Sequence, residues 1–338
     1  MNKLTAKDFK RGIRVVKSQL TDFDNYPVYQ NSLKPLGFYS KYNVKANTVF
    51  VICAGAAGDI GFSNKNFWAA DDCYYLETDK YVDSKFIYYY LLSIQNDIKR
   101  QVRQASVPRL GSNVLKSIIL PSVPDNKQQE IVKILDSFTN LINALNEELS
   151  LRQKQFEYYR EKLLTFDEKP TSIFKFTKVL RGKRLTTKEL SDNAKYPVYH
   201  GGTEPIGYYN EYNRDANTVM VINVGASAGT IGFCNQAFWS SDGCYCLSHN
   251  QKIDNKFLYY SLLIREYKIK SQVRYAGIPT LDQKVIENIK LYIPSLKVQQ
   301  SIVEKLDAFE SLISSLKEEI ALRQKQYEYY REKLLTFE

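Results

Sequence analysis

The sequence contains one long segment twice. Residues 151–166 and 322–337 lie 171 residues apart, and both read LRQKQ-x-EYYREKLLTF, with Phe156 in the first copy and Tyr327 in the second. An internal repeat constrains the fold strongly, because each copy must form the same structure. A period of this length exceeds that of a solenoid unit. It therefore indicates a duplicated globular domain that is followed by a duplicated connecting segment.

The repeat covers the rest of the chain more loosely. Short motifs return in order, among them YPVY at residues 26–29 and 196–199, and QVR at residues 101–103 and 272–274. The offset between copies changes from 170 to 171 residues between the Gly55/Gly225 and Gly61/Gly232 pairs, so one residue was gained or lost in that loop.

The duplicated pattern predicts an α+β fold with two tandemly repeated mixed α/β globular domains and two long helices. We place the domains at residues 1–122 and 170–293, and the helices at residues 123–169 and 294–338. A domain of roughly 120 residues has an ordinary size.

Composition excludes several classes of protein. Hydrophobic residues make up 44% and charged residues 25% of the chain, as in soluble proteins. No apolar run approaches the ~18 residues of a membrane span. The first residues do not show the charged and apolar pattern of a leader, so we do not expect secretion. The five cysteines show no CxxC spacing, which favours free thiols in a reducing cytoplasm.

Both long helices carry the pattern of a coiled coil. Apolar residues alternate in steps of four and three over five heptads, interrupted at Arg152 and Arg323. Nearby glutamates offer countercharges, at Glu147, Glu148, Glu318 and Glu319. The alternative to a coiled coil is a single amphipathic helix packed on each globular domain. The simplest pairing is antiparallel, with a pseudo-twofold axis relating the halves and the domains at opposite ends of a rod.

The outer faces of the two helices match residue for residue. They include Lys154 and Tyr158 in the first copy, and Lys325 and Tyr329 in the second. Solvated faces usually drift between duplicates, so this identity needs a cause. Two explanations remain open: the faces bind two copies of one partner, or recombination has made the DNA of the two copies uniform.

The globular domains have features of DNA-binding proteins. The net charge is +10, which favours contact with phosphates. The pattern predicts Asp-capped helices over residues 83–103 and 254–274, each ending in basic residues that also suit a helix C-terminus. Loops of different sequence follow, as base reading requires. The predicted DNA-binding residues are Lys99, Arg100, Arg103, Arg109, Lys268, Lys270, Arg274, Tyr275 and Thr280.

Catalytic and metal-binding patterns are hard to find. The glycine-rich turns at residues 55–61 and 225–232 lack the lysine and Ser/Thr of a phosphate loop, so tight hairpins are expected. The two histidines, His200 and His249, have no counterparts in the first half. Cys244 and Cys246 share a strand face without a second ligand pair, so we predict no zinc site, no other metal and no cofactor.

Taken together, the chain resembles the DNA-specificity subunit of a type I restriction–modification enzyme. The resemblance spans the whole chain and rests on the alternation of divergent domains with near-identical heptad helices. It also rests on a QQ-x-IV motif at each helix start, residues 128–132 and 299–303, and on the REKLL run near each helix end.

The resemblance implies that each globular domain is a target-recognition domain reading half of a bipartite site in double-stranded DNA. It also implies that the helices set the spacer and dock methyltransferase (modification) subunits, two in number, through Lys154, Tyr158, Lys325 and Tyr329. Methylation and ATP-dependent cleavage then belong to modification and restriction subunits in a prokaryotic cytoplasm. The chain itself is expected to be non-catalytic and to bind no membrane. A competing hypothesis is a coiled-coil scaffold with two ligand-binding domains and no role on DNA.

Overall fold

The computed structural model describes residues 4–5, 9–23, 25–78 and 82–337. The chain divides into two compact units, Met1–Glu147 with Glu318–Glu338, and Glu148–Lys317. Each unit contains one globular domain, a portion of the first long helix and a portion of the second.

The first unit contains nine strands in its described residues, which are β1 Leu4–Thr5, β2 Phe9–Arg11, β3 Tyr26–Tyr29, β4 Gly37–Tyr39, β5 Thr48–Ile52, β6 Ile60–Ser63, β7 Trp68–Ala69, β8 Cys73–Leu76 and β9 Ile119–Leu120. Three short helices lie between β8 and β9, namely α1 Ser84–Ser93, α2 Gln95–Arg100 and α3 Ser112–Ser117. The first long helix is α4 Asp125–Leu164, which continues into the second unit.

The second unit repeats this order of elements. Its strands are β10 Thr171–Ser172, β11 Val179–Arg181, β12 Tyr196–Tyr199, β13 Gly207–Tyr209, β14 Thr218–Ile222, β15 Ile231–Cys234, β16 Trp239–Ser240, β17 Cys244–Leu247 and β18 Lys290–Leu291. Its helices are α5 Asn255–Leu263, α6 Glu266–Lys270, α7 Gln283–Glu287 and the start of the second long helix, α8 Leu296–Leu335.

Sheet topology is the same in both domains. Strands β2-β8-β5-β6 form an antiparallel sheet, and β4-β3-β7 form a smaller one in which β3 and β7 are parallel. The second copy has the orders β11-β17-β14-β15 and β13-β12-β16. The short pairs β1-β9 and β10-β18 complete the copies. The predicted α+β fold with two repeated domains is therefore confirmed.

The central strand β5 is buried on both of its faces. Val49 and Val51 pack in one core with Phe86 of α1, whereas Phe50 and Ile52 pack in a second core with Phe67, which directly precedes β7. Successive side chains of a strand point to opposite faces, so a continuous apolar run suits a strand that is covered on both sides.

The glycine-rich segments connect the strands of hairpins, as predicted, but the turns are not tight. Residues 53–59 join β5 to β6, and residues 223–230 join β14 to β15 with one residue more. This is the residue that separates the two offsets of the repeat. Gly58 and Gly229 have φ values of +87° and +88°, and a Cβ on either would lie 2.8 Å from the Cγ atom of Lys99 or Lys270. The loops therefore need glycine there.

The predicted helices over residues 83–103 and 254–274 are wrong in length. Asp83 and Asp254 cap them as expected, each accepting hydrogen bonds from two backbone N–H groups. Each helix then breaks, with Ile94 at φ −102° and ψ 10° in the first copy. The Ser93 hydroxyl donates to the Tyr90 carbonyl at 2.7 Å, a local bond that competes with helix continuation. The break allows Ile98 to be buried.

The long helices pair within each unit. In the first unit Leu135 shares a core with Leu335, and the rings of Phe138 and Tyr330 stack at 5.3 Å. Later residues of α4 thus meet earlier residues of α8, so the segments are antiparallel. The second unit shows the same pairing, with Tyr159 stacked on Phe309 at 5.5 Å.

The two seam arginines have the countercharges that the sequence indicated. Arg152 lies 3.3 Å from Glu148, and Arg323 lies 2.8 Å from Glu319, each one turn away on its own helix. Both arginine side chains are half-buried, so the heptad seam accepts a charge at this level without leaving it unpaired. In the described part of the chain no helix is long and apolar enough to cross a lipid bilayer.

Candidate nucleic-acid interface and helix surface

Each globular domain presents one short loop on a fixed backbone frame. In the first domain, Arg103 and Arg109 exchange backbone hydrogen bonds of 2.9 and 3.1 Å. In the second domain, Arg274 and Thr280 exchange bonds of 2.9 and 3.0 Å. We call the enclosed residues 104–108 tip loop 1 and residues 275–279 tip loop 2. Two reciprocal bonds hold the ends of each loop, so its side chains project from a defined position.

The tip loops are also tied to the glycine-rich loops. Gly55 N–H donates to the Pro108 carbonyl at 3.1 Å, and Gly225 N–H donates to the Pro279 carbonyl at 2.9 Å. The backbone at the two sites is thus equivalent, which explains why the sequence repeats around them while the tips differ.

Side chains in the tip loops are exposed and differ between domains. Tip loop 1 reads QASVP and tip loop 2 reads YAGIP. Tyr275 and Ile278 are among the most exposed large side chains in the chain, at 73% and 69%, against 46% for Val107. A common frame with unlike exposed groups can present two different surfaces to a ligand.

Two of the predicted DNA-binding lysines are engaged inside their own domains. Lys99 Nζ lies 2.8 Å from Asp59, and Lys270 Nζ lies 2.5 Å from Glu266. Their aliphatic stems pack beneath Gly58 and Gly229, respectively. Because the stem and charge of each lysine have partners in the domain, these residues support the glycine-rich loop.

Three other basic residues lie on the surface of the short helices and at their ends. Arg100, Arg103 and Lys268 are solvent-exposed. Arg100 forms an ion pair with Asp97 at 2.8 Å, with both side chains strongly exposed. An exposed pair of this kind is weak, so its guanidinium group remains available to an external anion.

Two further arginines lie at the ends of the tip loops. Arg109 is 3.7 Å from Asp72, and Arg274 is 3.4 Å from Asp282. Both guanidinium groups are mostly exposed, and the long distances indicate weak pairs. Thr280 takes the place of Arg109 in the second domain, so the positive charge next to the tip differs between the two copies.

A polar pair outside the predicted DNA-binding residues lies beside each site. Gln30 directly follows β3 and lies 3.5 Å from Asp71, whereas His200 directly follows β12 and lies 3.2 Å from Asp242. No histidine in the first half matches His200, so a search for histidine pairs misses this position. The signal in the sequence was the repeat itself, since Gln30 and His200 each follow a YPVY motif.

A buried glutamine joins each long helix to its domain. The side-chain oxygen of Gln299 accepts a hydrogen bond from Asp254 N–H at 2.8 Å. Its side-chain nitrogen donates to the backbone carbonyls of Pro294 and Lys252 at 2.8 and 3.2 Å. Gln128 accepts in the same way from Asp83 N–H at 2.9 Å. The first glutamine of each QQ-x-IV motif therefore links the start of the long helix to the cap of the domain helix.

A tyrosine–aspartate bond makes a second link of this kind. The Tyr89 hydroxyl donates to Asp136, and the Tyr260 hydroxyl donates to Asp307, both at 2.5 Å. The pKa of both tyrosines is raised, mainly by burial and to a smaller extent by these hydrogen bonds. The protonated hydroxyl groups therefore fix the domain helices against the long helices.

The repeated helix faces are exposed and carry a stripe of apolar and basic groups. Leu151 and Leu322 are 65% and 63% exposed, and Tyr158 and Tyr329 are each 58% exposed. A lysine lies over each tyrosine ring, with Lys162 5.7 Å and Lys333 5.8 Å from the ring centres. Lys154 and Lys325 are exposed on the same turns. We call each set of four residues a copy of the helix surface. The first copy consists of Leu151, Lys154, Tyr158 and Lys162, and the second of Leu322, Lys325, Tyr329 and Lys333.

The cysteines lie in the cores of the globular domains. All five are buried and free. A hydrogen bond with Cys246, together with burial, raises the pKa of the Cys244 thiol well above its usual value. Among the residues that the structure describes, no group of three or more His, Cys, Asp or Glu side chains is arranged to hold a metal ion.

These features define a class of protein with two divergent domains on equivalent frames and two paired helices whose outer faces are identical over residues 151–166 and 322–337. The family model for the type I restriction modification DNA specificity domain matches residues 7–151 and 171–322. A putative type I restriction enzyme specificity subunit of Haemophilus influenzae is 31% identical, over 95% of this chain and 91% of its own length. The chain therefore belongs to the family of type I restriction–modification specificity subunits.

Other relatives agree with this assignment. A putative type I specificity subunit of Mycoplasma genitalium is 26% identical over 91% of this chain and 88% of its own length. The crystal structure of a type I restriction–modification system S subunit from M. genitalium has the same fold, with a TM-score of 0.77 and 24% identity, covering 100% of this chain and 96% of that one.

Proposed function

We propose that this chain selects the DNA sequence on which a type I restriction–modification complex acts. Each globular domain reads one half of a bipartite site, and the two long helices set the unread spacer between the halves. The observation that carries this proposal is the contrast between the two kinds of surface. The tip loops differ on an identical backbone frame, whereas the helix surface is identical in both copies.

The predicted DNA-binding residues divide into two groups under this proposal. Arg103, Arg109, Arg274, Tyr275 and Thr280 lie in or directly beside the tip loops, where they contact bases or the nearest phosphates. Arg100 and Lys268 lie on the exposed side of α2 and α6 and bind the sugar–phosphate backbone. Lys99 and Lys270 act indirectly, by holding the glycine-rich loops to which the tip loops are bound.

The helix surface binds the methyltransferase subunits. Two equal surfaces on one chain suit two copies of one partner, and each combines exposed leucine and tyrosine with lysine. Aromatic and apolar anchors at the centre of a patch are typical of stable protein interfaces. Methylation and ATP-dependent cleavage then reside in the modification and restriction subunits, and the complex acts in the prokaryotic cytoplasm.

A mobility-shift measurement separates this proposal from the coiled-coil scaffold without a role on DNA. The purified chain is titrated against a random-sequence duplex in rising salt. A DNA-specificity subunit retards the duplex at low salt, and log K falls linearly with log salt because phosphate contacts release counterions. A scaffold that binds no DNA leaves the duplex unshifted at every salt concentration.

The docking proposal has its own test. The test variant combines Lys154→Glu and Lys325→Glu with Tyr158→Ala and Tyr329→Ala. It removes the lysine charge and the tyrosine ring from each copy of the helix surface. Gel filtration of the complex purified from its own cells is expected to show loss of the methyltransferase subunits. The matched control replaces Glu130 and Glu304, which are exposed on parts of the long helices that differ between the copies, with glutamine. An intact complex in the first variant contradicts the docking site.

A further inference from the structure

The two globular domains contain one equivalent polar pair with a single chemical difference. The Gln30 amide nitrogen lies 3.5 Å from Asp71 Oδ1, and His200 Nδ1 lies 3.2 Å from Asp242 Oδ1. The aspartate is the same in both domains, and within the pair only the residue after the strand changes. A change of one side chain on a common frame alters what the frame presents.

The backbone around each pair is equivalent. Ala70 N–H donates to the Tyr29 carbonyl at 2.9 Å, and Ser241 N–H donates to the Tyr199 carbonyl at 3.0 Å. In the first domain the pair also lies next to tip loop 1, because Asp72 contacts Arg109. In the second domain Asn223 makes the link, because its side-chain amide donates to the Asp242 carbonyl at 3.2 Å and its backbone carbonyl accepts from Leu281 N–H, one residue after Thr280, at 2.8 Å. Each pair therefore lies at the same edge of its domain as the tip loop.

The hydrogen-bonding groups that Gln30 presents follow from its partner. A carboxylate accepts hydrogen bonds and donates none, so the amide nitrogen faces Asp71 and the amide oxygen faces away. The oxygen and the second N–H of the amide remain for an external ligand. Gln30 thus presents one acceptor and one donor side by side.

His200 presents a donor in both of its protonation states. Gly243 N–H donates to Nδ1 at 3.1 Å, which places the proton of the neutral ring on Nε2. In the charged ring Nδ1–H donates to Asp242, and Nε2 still carries a proton. The side chain is 42% exposed. Because Nε2 carries a proton in both states, it can donate a hydrogen bond to an external ligand but cannot accept one.

We infer that Gln30 reads an adenine in the half-site of the first domain and that His200 reads a guanine in the half-site of the second. Adenine presents the N6 donor next to the N7 acceptor in the major groove, which match a glutamine amide. Guanine presents only the acceptors N7 and O6, which match a donor without an acceptor. This inference rests on the proposed function, since it requires that the tip-loop edge faces the bases.

The test uses the chain as it exists in its own cells. The chain is purified through an affinity tag on its chromosomal copy, with the subunits that remain bound, and it selects from a library of random duplexes. The wild type is expected to recover a bipartite motif with an adenine in one half and a guanine in the other. Gln30→His is expected to change one position of the first half, and His200→Gln one position of the second, each by roughly tenfold in base preference.

His249→Gln is the matched control. His249 bonds Thr218 at 2.8 Å, at the start of β14, whereas His200 lies near the loop that follows the end of β14. This control is expected to recover the wild-type motif. Melting temperatures of all variants show whether each domain remains folded.

A base analogue tests the same contact without altering the protein. Replacing the selected guanine with 6-thioguanine substitutes a weak sulfur acceptor for O6, the acceptor that adenine lacks, and the affinity of the wild type is expected to fall by roughly tenfold. The inference is overturned if the exchange variants keep the wild-type motif, if they lose affinity for all sequences equally, or if the analogue binds normally. A wild-type chain that selects no motif at any salt concentration contradicts the proposed function itself.

Discussion

Removal of the Gln299 side chain is expected to be among the most destabilising changes on the long helices. The amide is fully buried and joins three backbone groups, Asp254 N–H and the carbonyls of Pro294 and Lys252. In Gln299→Ala these groups lose their partner in a buried environment, at about 1–3 kcal/mol for each group left unsatisfied. Water entering the vacated space restores some of these bonds, so we expect a net loss of about 3 kcal/mol in the free energy of unfolding.

The assay is thermal unfolding followed by circular dichroism. A loss of about 3 kcal/mol lowers the melting temperature by roughly 6–12 °C in a compact unit of 170 residues such as Glu148–Lys317. Gln300→Ala is the matched control, because Gln300 is the next residue on the same helix and is exposed. Its melting temperature is expected to change by less than about 2 °C. Equal shifts in the two variants, or a small shift in Gln299→Ala, refute the claim that this glutamine joins helix and domain.

Three further changes test other parts of the structure. Gly182→Ala is expected to destabilise the second domain severely, because its Cβ would lie 1.8 Å from the Ser241 carbonyl oxygen; a near-native melting curve argues against this close approach. The raised pKa of Tyr260 means that its bond to Asp307 contributes fully below about pH 10, the value of an unfolded tyrosine, and is lost as pH rises further. Tyr260→Phe is therefore expected to be less stable at neutral pH but less sensitive to alkali, as pH-dependent melting measures. Arg274→Ala is expected to weaken DNA binding and to reduce the slope of log K against log salt by about one if it contacts a phosphate; unchanged affinity and slope count against that contact.

Much of the fold could be predicted because the sequence states it twice. Agreement between copies marked the helix caps at Asp83 and Asp254, and the change of offset marked the loop that is one residue longer. Heptad spacing predicted the seam and its interruption at Arg152. These features depend on local periodicity and on pairs of residues close in sequence, which a pattern records directly.

Other features depend on contacts that no local pattern contains. Lys99 and Lys270 resembled free basic residues at helix ends, yet Asp59, which pairs with Lys99, and the glycines above both lysines come from other elements. Only Glu266, the partner of Lys270, lies on the same helix as its lysine. The break at Ile94 depends on which residues the domain buries next, and apolar spacing alone suggested one continuous helix. The YPVY motifs align Gln30 with His200 in the sequence, but their different chemistry hides a shared role, which only their contacts with Asp71 and Asp242 indicate.

The one difference between the near-identical segments now has a location. In the second unit Phe156 packs inward against Tyr260 and Phe309. In the first unit burial raises the pKa of Tyr327, which also forms a hydrogen bond with the Thr139 hydroxyl. The residue equivalent to Thr139 in the second unit is Glu310, which pairs with Lys256 instead. The substitution therefore falls where the two domains offer different neighbours, and the solvent-facing residues are the same.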